Sequence, residues 1–151
     1  LGVGAADVEI TGQVEFDTLP VGGNAFAYVL ARADGSNAIR GMIRVAPNGL
    51  VYVQLKRAVN RVESNIEPEV SSSFLTTPGQ PIRFRLKVTG DQLRMRVWQG
   101  AAEPDAWLTS ATDSTVTAAA GAGLMGYVSR NVTNGPLSIS LDEFEVRRSA
   151  P

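Results

Sequence analysis

The chain of 151 residues contains no cysteine and no histidine. Without cysteine there is no disulfide framework and no thiolate nucleophile. The absence says nothing of compartment, because exported bacterial proteins also do without disulfides. Without histidine, Ser-His-Asp and Cys-His catalysis are excluded, along with zinc sites of the usual kind and the readiest general base near neutral pH. No apolar run approaches the roughly 18 residues of a membrane span, and no signal peptide is recognisable. The chain opens Leu1-Gly2-Val3 without a methionine, which reads as a processed piece or a domain cut from something longer. An excess of charge is missing too. Fourteen Lys and Arg face fifteen Asp and Glu, a net charge of −1, so nothing in the total points to nucleic acid or to insertion in a membrane.

Hydrophobic residues make up 44% and charged residues 19%. This is an ordinary globular balance for one domain, residues 1–151, with apolar material enough for a core that needs neither metal nor disulfide. The pattern is β throughout. Val8, Ile10, Val14 and Phe16 alternate with Asp7, Glu9, Glu15 and Asp17, as in a half-buried strand. FAYVLARAD and AIRGMIRV follow, separated by Asp34-Gly35-Ser36-Asn37, a turn signal. Asn48-Gly49 predicts a type I′ hairpin into LVYVQLKRAV. In PIRFRLKVTGDQLRMRVW, Gly90-Asp91 predicts a two-residue turn. That turn sets Thr89 opposite Gln92, Lys87 opposite Arg94, Arg85 opposite Arg96, and Arg83 opposite Trp98. One face of the hairpin is then apolar and the other basic. PLSISLDEFEVRR reads as a closing strand. The sum is roughly nine to eleven short strands, an all-β antiparallel jelly-roll β-sandwich.

RLKVTGDQLRMRV, Trp98, Glu103-Pro104, Trp107, Asp113, GAGLMGY, Asn134, Pro136 and LDEFEV together resemble a laminin-G-like domain of the concanavalin A-like jelly rolls. Such domains are frequent in large secreted actinobacterial proteins, and similar ones occur in tail proteins of phages that infect those bacteria. The resemblance spans Val8 to Val146. It implies an extracellular protein, secreted or on a cell or virion surface. Family members carry a further N-terminal stretch, which this chain lacks. A missing first strand leaves a sheet edge open, or filled by a neighbouring protein chain. The fold hosts lectins, adhesion modules and glycosidases, so function has to be argued from the site.

The hairpin register puts Trp98 among Arg83, Arg85, Lys87, Arg94 and Arg96. An indole beside guanidinium groups on a polar face can stack on a sugar ring while the arginines donate to its hydroxyls. It can equally be packed under Arg83 or a covering loop. Trp107, in an irregular segment, is expected to bury itself at one end of the sandwich. Glu103 suits an arginine of the neighbouring strand better than a catalytic role. Glucanases of this fold carry a close acid cluster of the form E-x-D-x-x-E on one strand, and the spacing of Asp142, Glu143 and Glu145 does not match it. No enzymatic activity is expected.

The basic face calls for acids of the strand Asp7 to Asp17 beside it, or for an acidic ligand. Jelly-roll binding modules often hold a structural Ca²⁺ between their terminal strands, and here Asp142 with Asp7 are the candidate ligands. GAGLMGY lacks the Lys-Ser/Thr end of a phosphate loop and reads as a turn. The expectation is a non-catalytic, lectin-like module binding a polysaccharide or cell-surface glycan through Trp98, Arg83, Arg85, Arg94 and Arg96. The alternative is a structural or adhesion module of an assembly such as a phage tail or surface filament.

Overall fold

The computed structural model describes residues 4–150. Eleven strands are found among them: β1 (Val8–Phe16), β2 (Ala25–Ala33), β3 (Ala38–Val45), β4 (Leu50–Val59), β5 (Val62–Asn65), β6 (Val70–Leu75), β7 (Ile82–Thr89), β8 (Gln92–Trp98), β9 (Thr109–Thr112), β10 (Gly121–Val128) and β11 (Ile139–Arg148). They form two antiparallel sheets, one of five strands in the order β11-β1-β7-β8-β9, one of six in the order β10-β2-β3-β4-β5 with β6 also on β4. Among the described residues no helix is long and apolar enough to cross a membrane.

Period-two alternation does the folding. β1 and β7 bury every second residue, and their apolar faces meet the inner face of the second sheet. Ile10, Ile82, Phe84, Leu86, Leu93 and Met95 from the five-stranded sheet pack on Val29, Ile39, Ile43, Val53 and Leu55 from the six-stranded one, all of them fully buried. The inner face of β2 is made mostly of alanine (Ala25, Ala27, Ala31). Next to it Gly41 of β3 leaves room for Met95, whose Sδ would lie 2.5 Å from a Cβ added there.

The β7–β8 hairpin has the register expected of its turn, with Thr89 paired to Gln92, Lys87 to Arg94, Arg85 to Arg96 and Arg83 to Trp98. The β3–β4 turn differs from expectation. Gly49 alone has a positive φ, 85°, and Asn48 does not; a type I′ turn needs both. Gly49 N–H donates to Ala46 O at 2.9 Å, and Ala46 N–H to Leu50 O at 3.0 Å. This is a turn over Pro47-Asn48 closed by a glycine bulge. Proline at 47 fixes φ near −65° and so selects it.

The two open sides of the sandwich are closed unequally. On the β9 side, Ala111 and Val116 are buried, and Asp113 lies 4% exposed beneath them. The Asp113 carboxylate pairs with Arg57 of β4 and accepts the N–H groups of Thr115 (2.9 Å) and Val116 (3.4 Å). Arg32, 2% exposed, ties the neighbouring end. It donates to Ala6 O (2.7 Å), Val116 O (2.9 Å) and Gly90 O (2.7 Å), with Asp7 at 3.4 Å. On the β10–β11 side nothing comparable exists among the described residues, beyond a bridge of Ala5 to Ala120. From Thr117 to Ala150 no residue is fully buried, and Leu124, Ile139, Phe144 and Val146 are only partly covered.

Candidate functional site

The outer face of the five-stranded sheet carries the residues singled out from sequence. Arg85 and Arg96, directly opposite each other, would repel. The β8–β9 loop resolves this by laying Glu103 between them. Its carboxylate accepts Arg85 Nη2 at 2.9 Å and Arg96 Nε at 2.8 Å. Glu9 of β1 takes the other side of the Arg85 guanidinium, and Glu143 pairs with Arg83 at 3.3 Å. Hydrogen bonds from Arg85, then from Arg96, hold Glu103 below the usual glutamate range. A general acid needs the opposite shift. Glu103 is therefore an ionised clamp.

Trp107 does not cap an end of the sandwich. It is half-buried on this outer face, with the Arg96 guanidinium 4.3 Å from its ring centroid. Arg96 also donates to Asp105 O at 2.8 Å. One arginine is thus gripped by carboxylate, carbonyl and indole, which accounts for the Glu103-Pro104-x-x-Trp107 spacing. Of the acids expected from β1, Glu9 reaches an arginine. Asp17 instead accepts the Ser138 N–H at 2.8 Å.

Beside the clamp is a cleft of ≈ 270 Å³ lined by Trp98, Arg83, Arg85, Glu103, Glu143 and Glu145 among others. Glu143 sits at a bulge of β11 with φ 53°, and a bulge re-aims its side chain. The Trp98 Nε1 is buried with no partner. Three of the five sequence candidates, Trp98, Arg83 and Arg85, thus meet in one place. Arg96 is withdrawn into the clamp. Arg94 lies apart, in a hollow of ≈ 180 Å³ with Lys87, Thr89 and Gln92.

Asp142 and Asp7 do not meet, and the pair fits no calcium site. Asp142 stands across from Gln13 on β1, six residues from Asp7, or about 20 Å of strand. Asp142 accepts its neighbour's N–H, from Glu143 at 2.8 Å, whereas Asp7 accepts Gly90 N–H at 2.8 Å and faces Arg32. Calcium gathers six to eight oxygens around one point. Among the described residues no group of three acidic side chains does so.

The outer face of the six-stranded sheet holds a second constellation that sequence reasoning missed. Tyr127 of β10 pairs across to Phe26 of β2, their rings 5.6 Å apart, and Phe26 stacks on Tyr28 at 6.1 Å and 18°. Tyr127 is 53% exposed, whereas Tyr28 is buried. Next to this aromatic band runs a row of paired charges. Glu63 bridges Arg40 (2.7 Å) and Lys56 (2.8 Å). Arg44 pairs with Glu69, donates to Asn24 Oδ1 at 3.0 Å, and lies over the Tyr52 ring at 4.0 Å. Gln54 donates to Glu67 O at 2.8 Å, which holds the β5–β6 segment at the margin of the face.

Burial, then Glu63, push the Tyr28 phenol up to about 12, so it stays a neutral donor. Burial opposes ionisation of Glu63, but hydrogen bonds from Lys56 and Arg40 outweigh it and hold its carboxyl low. The signal was present in the alternation of Phe26 and Tyr28. It was masked because FAYVLARA reads as one apolar run.

No protein-family model and no curated protein sequence matches the chain. Solved structures do. The carbohydrate binding module CBM66 from Bacillus subtilis superposes with a TM-score of 0.63 at 14% identity, covering 95% of this chain and 75% of its own. Sheep galectin-11, in complex with glycerol, gives 0.56 at 14%, covering 93% and 95%. An alginate lyase from Klebsiella pneumoniae gives 0.54 at 14%, covering 95% and 60%. At such identities the likeness establishes the fold, a concanavalin A-like jelly-roll β-sandwich, which binding modules, lectins and lyases share.

Proposed function

We propose that the chain is a non-catalytic carbohydrate-binding module that takes a polysaccharide across the outer face of its six-stranded sheet. The observation that carries this is the aromatic band Tyr127–Phe26–Tyr28 alongside the charge row Arg40–Glu63–Lys56 and Arg44–Glu69. Sugar rings present apolar C–H faces edged by hydroxyls. The exposed Tyr127 ring, braced by Phe26 and the buried Tyr28, takes a face, and paired charges already held in place take the hydroxyls with little ordering cost. The carbohydrate-binding module and the galectin of the same fold support the ligand class. Non-catalysis is supported by the carboxylates: Glu63 and Glu103 are both held ionised by cations, and neither is poised to donate a proton. An extracellular location, where wall and cell-surface polysaccharides lie, is part of this proposal.

The Trp98 cleft is the second reading, favoured by its unpartnered indole N–H. The finer assignment to a laminin-G-like module, or to a structural part of a phage tail or surface filament, rests on the sequence motif. The experiment is affinity electrophoresis on plant and bacterial wall polysaccharides. The wild type is retarded with a Kd of ~μM to ~mM. Tyr127→Ala weakens this about tenfold while the fold is kept, and Trp98→Ala leaves it unchanged. The reverse pattern moves the site to the cleft. No retardation on any glycan favours the structural module.

A further inference from the structure

We propose that the glycan held on the six-stranded sheet is acidic, and that Arg61, with Arg40 beside it, receives the carboxylate of a uronate unit. The inference rests on the reading of that outer face as the glycan face. Beyond the aromatic band the face ends in a hollow of ≈ 130 Å³. Leu30, Ala38 and Ala58 of the sheet and Gly35 of the β2–β3 loop line it, together with Arg40 and Arg61. Leu30 pairs with Arg40, and Ala38 with Ala58. By the alternation of the strands these four share the side of Tyr28 and Arg44. Leu30 is two residues from Tyr28 along β2, about 7 Å.

The residue that stands out is Arg61. β4 and β5 are joined by a two-residue turn, Asn60-Arg61, behind the pair Val59–Val62. Both turn residues have positive φ, 51° and 67°, as a type I′ turn requires. Asparagine suits the first position, and the second is ordinarily glycine. An arginine there keeps a strained backbone. Two contacts with the β2–β3 loop hold it: Asn60 N–H donates to Asn37 Oδ1 at 3.0 Å, and Arg61 N–H to Ser36 O at 2.7 Å. Neither uses the arginine side chain. Arg61 is exposed and pairs with no carboxylate among the described residues. Strain kept for a side chain without a structural partner points to a ligand. The charge of that ligand follows from the surroundings. Glu63 is held between Arg40 and Lys56, and the Asp34 carboxylate accepts the N–H groups of Ser36 and Asn37. The cations Arg40, Lys56 and Arg61 thus stand against two carboxylates that are already engaged. Of the Arg40 donors, Nη1 goes to Glu63, and Nε is left without a partner. A planar guanidinium takes a carboxylate through two parallel N–H···O bonds, and the small residues Ala38 and Ala58 leave room for the ring that carries it.

The test is isothermal titration calorimetry at ~0.15 M salt, where diffuse attraction between surface charges is screened. Tetramers of galacturonate, mannuronate and glucuronate are compared with their methyl esters, which keep the ring and remove the charge. At least one acid binds the wild type ~10-fold more tightly than its ester. Arg61→Gly brings that acid to the level of the ester, and its Tm is no lower than that of the wild type, because glycine relieves the turn. Arg130→Gln, at an exposed arginine between β10 and β11, leaves the preference intact. Equal binding of every acid and its ester overturns the proposal, as does binding of neutral glycans alone. So does a preference that survives Arg61→Gly, or a Tm that this substitution lowers. In each of these cases the carbohydrate reading of the face stands if Tyr127→Ala still weakens binding. Binding of no glycan, acidic or neutral, removes that reading and this one together.

Discussion

Arg32→Leu lowers stability by about 3–5 kcal/mol, roughly 10–15 °C in Tm for a domain of this size. The side chain is 2% exposed and serves three backbone carbonyls, those of Ala6, Val116 and Gly90. Leucine fills part of the volume and supplies no donor. Each carbonyl left buried without a partner keeps its desolvation cost. Arg32 is also a non-glycine residue at φ 51°, a conformation maintained only where the surroundings over-determine it. Thermal unfolding followed by circular dichroism measures the loss. A Tm within 3 °C of wild type, about 1 kcal/mol here, would contradict the account.

Asp113→Ala is expected to cost about 2–4 kcal/mol. The substitution removes the acceptor for Arg57 and for the N–H groups of Thr115 and Val116 at once. Burial raises the Asp113 carboxyl, but hydrogen bonds from Arg57 and the two N–H groups win and hold it below its ordinary 3.8. The folded state therefore binds this proton less readily than the unfolded state does. The stabilisation is fully present above about pH 4, the unfolded value, and is lost as pH falls through the lower folded value. Asp113→Asn keeps the shape but loses this acid-side dependence. Tm measured from pH 6 downward should fall more steeply for the wild type than for Asp113→Asn; parallel curves would contradict the assignment.

Local signals were legible and distant ones were not. The β7–β8 register followed from Gly90-Asp91, because a two-residue turn fixes every pair behind it. The apolar alternation of β1, β7 and β8 located half the core. The candidate site is a different matter. Tyr127 meets Phe26 across a pairing of strands a hundred residues apart, and no local rule sets that register. The charge row depends on Glu63 reaching past Lys56 to Arg40. The arginines of the hairpin were placed on the right face, but their occupancy by Glu103 and Glu143 came from a loop and a bulge whose paths the sequence does not dictate. Arg32 was hidden for the same reason: its partners lie 26, 58 and 84 residues away.

That arginine has a consequence for where the fold can persist. It joins the N-terminal arm, the β7–β8 turn and the segment after β9, segments that many small sandwiches would cross-link through sulfur. The tie is made of a guanidinium and carbonyl oxygens, so no reductant can cut it and no oxidant is needed to form it. Arginine stays charged across the whole biological pH range. This tie is thereby indifferent to redox poise.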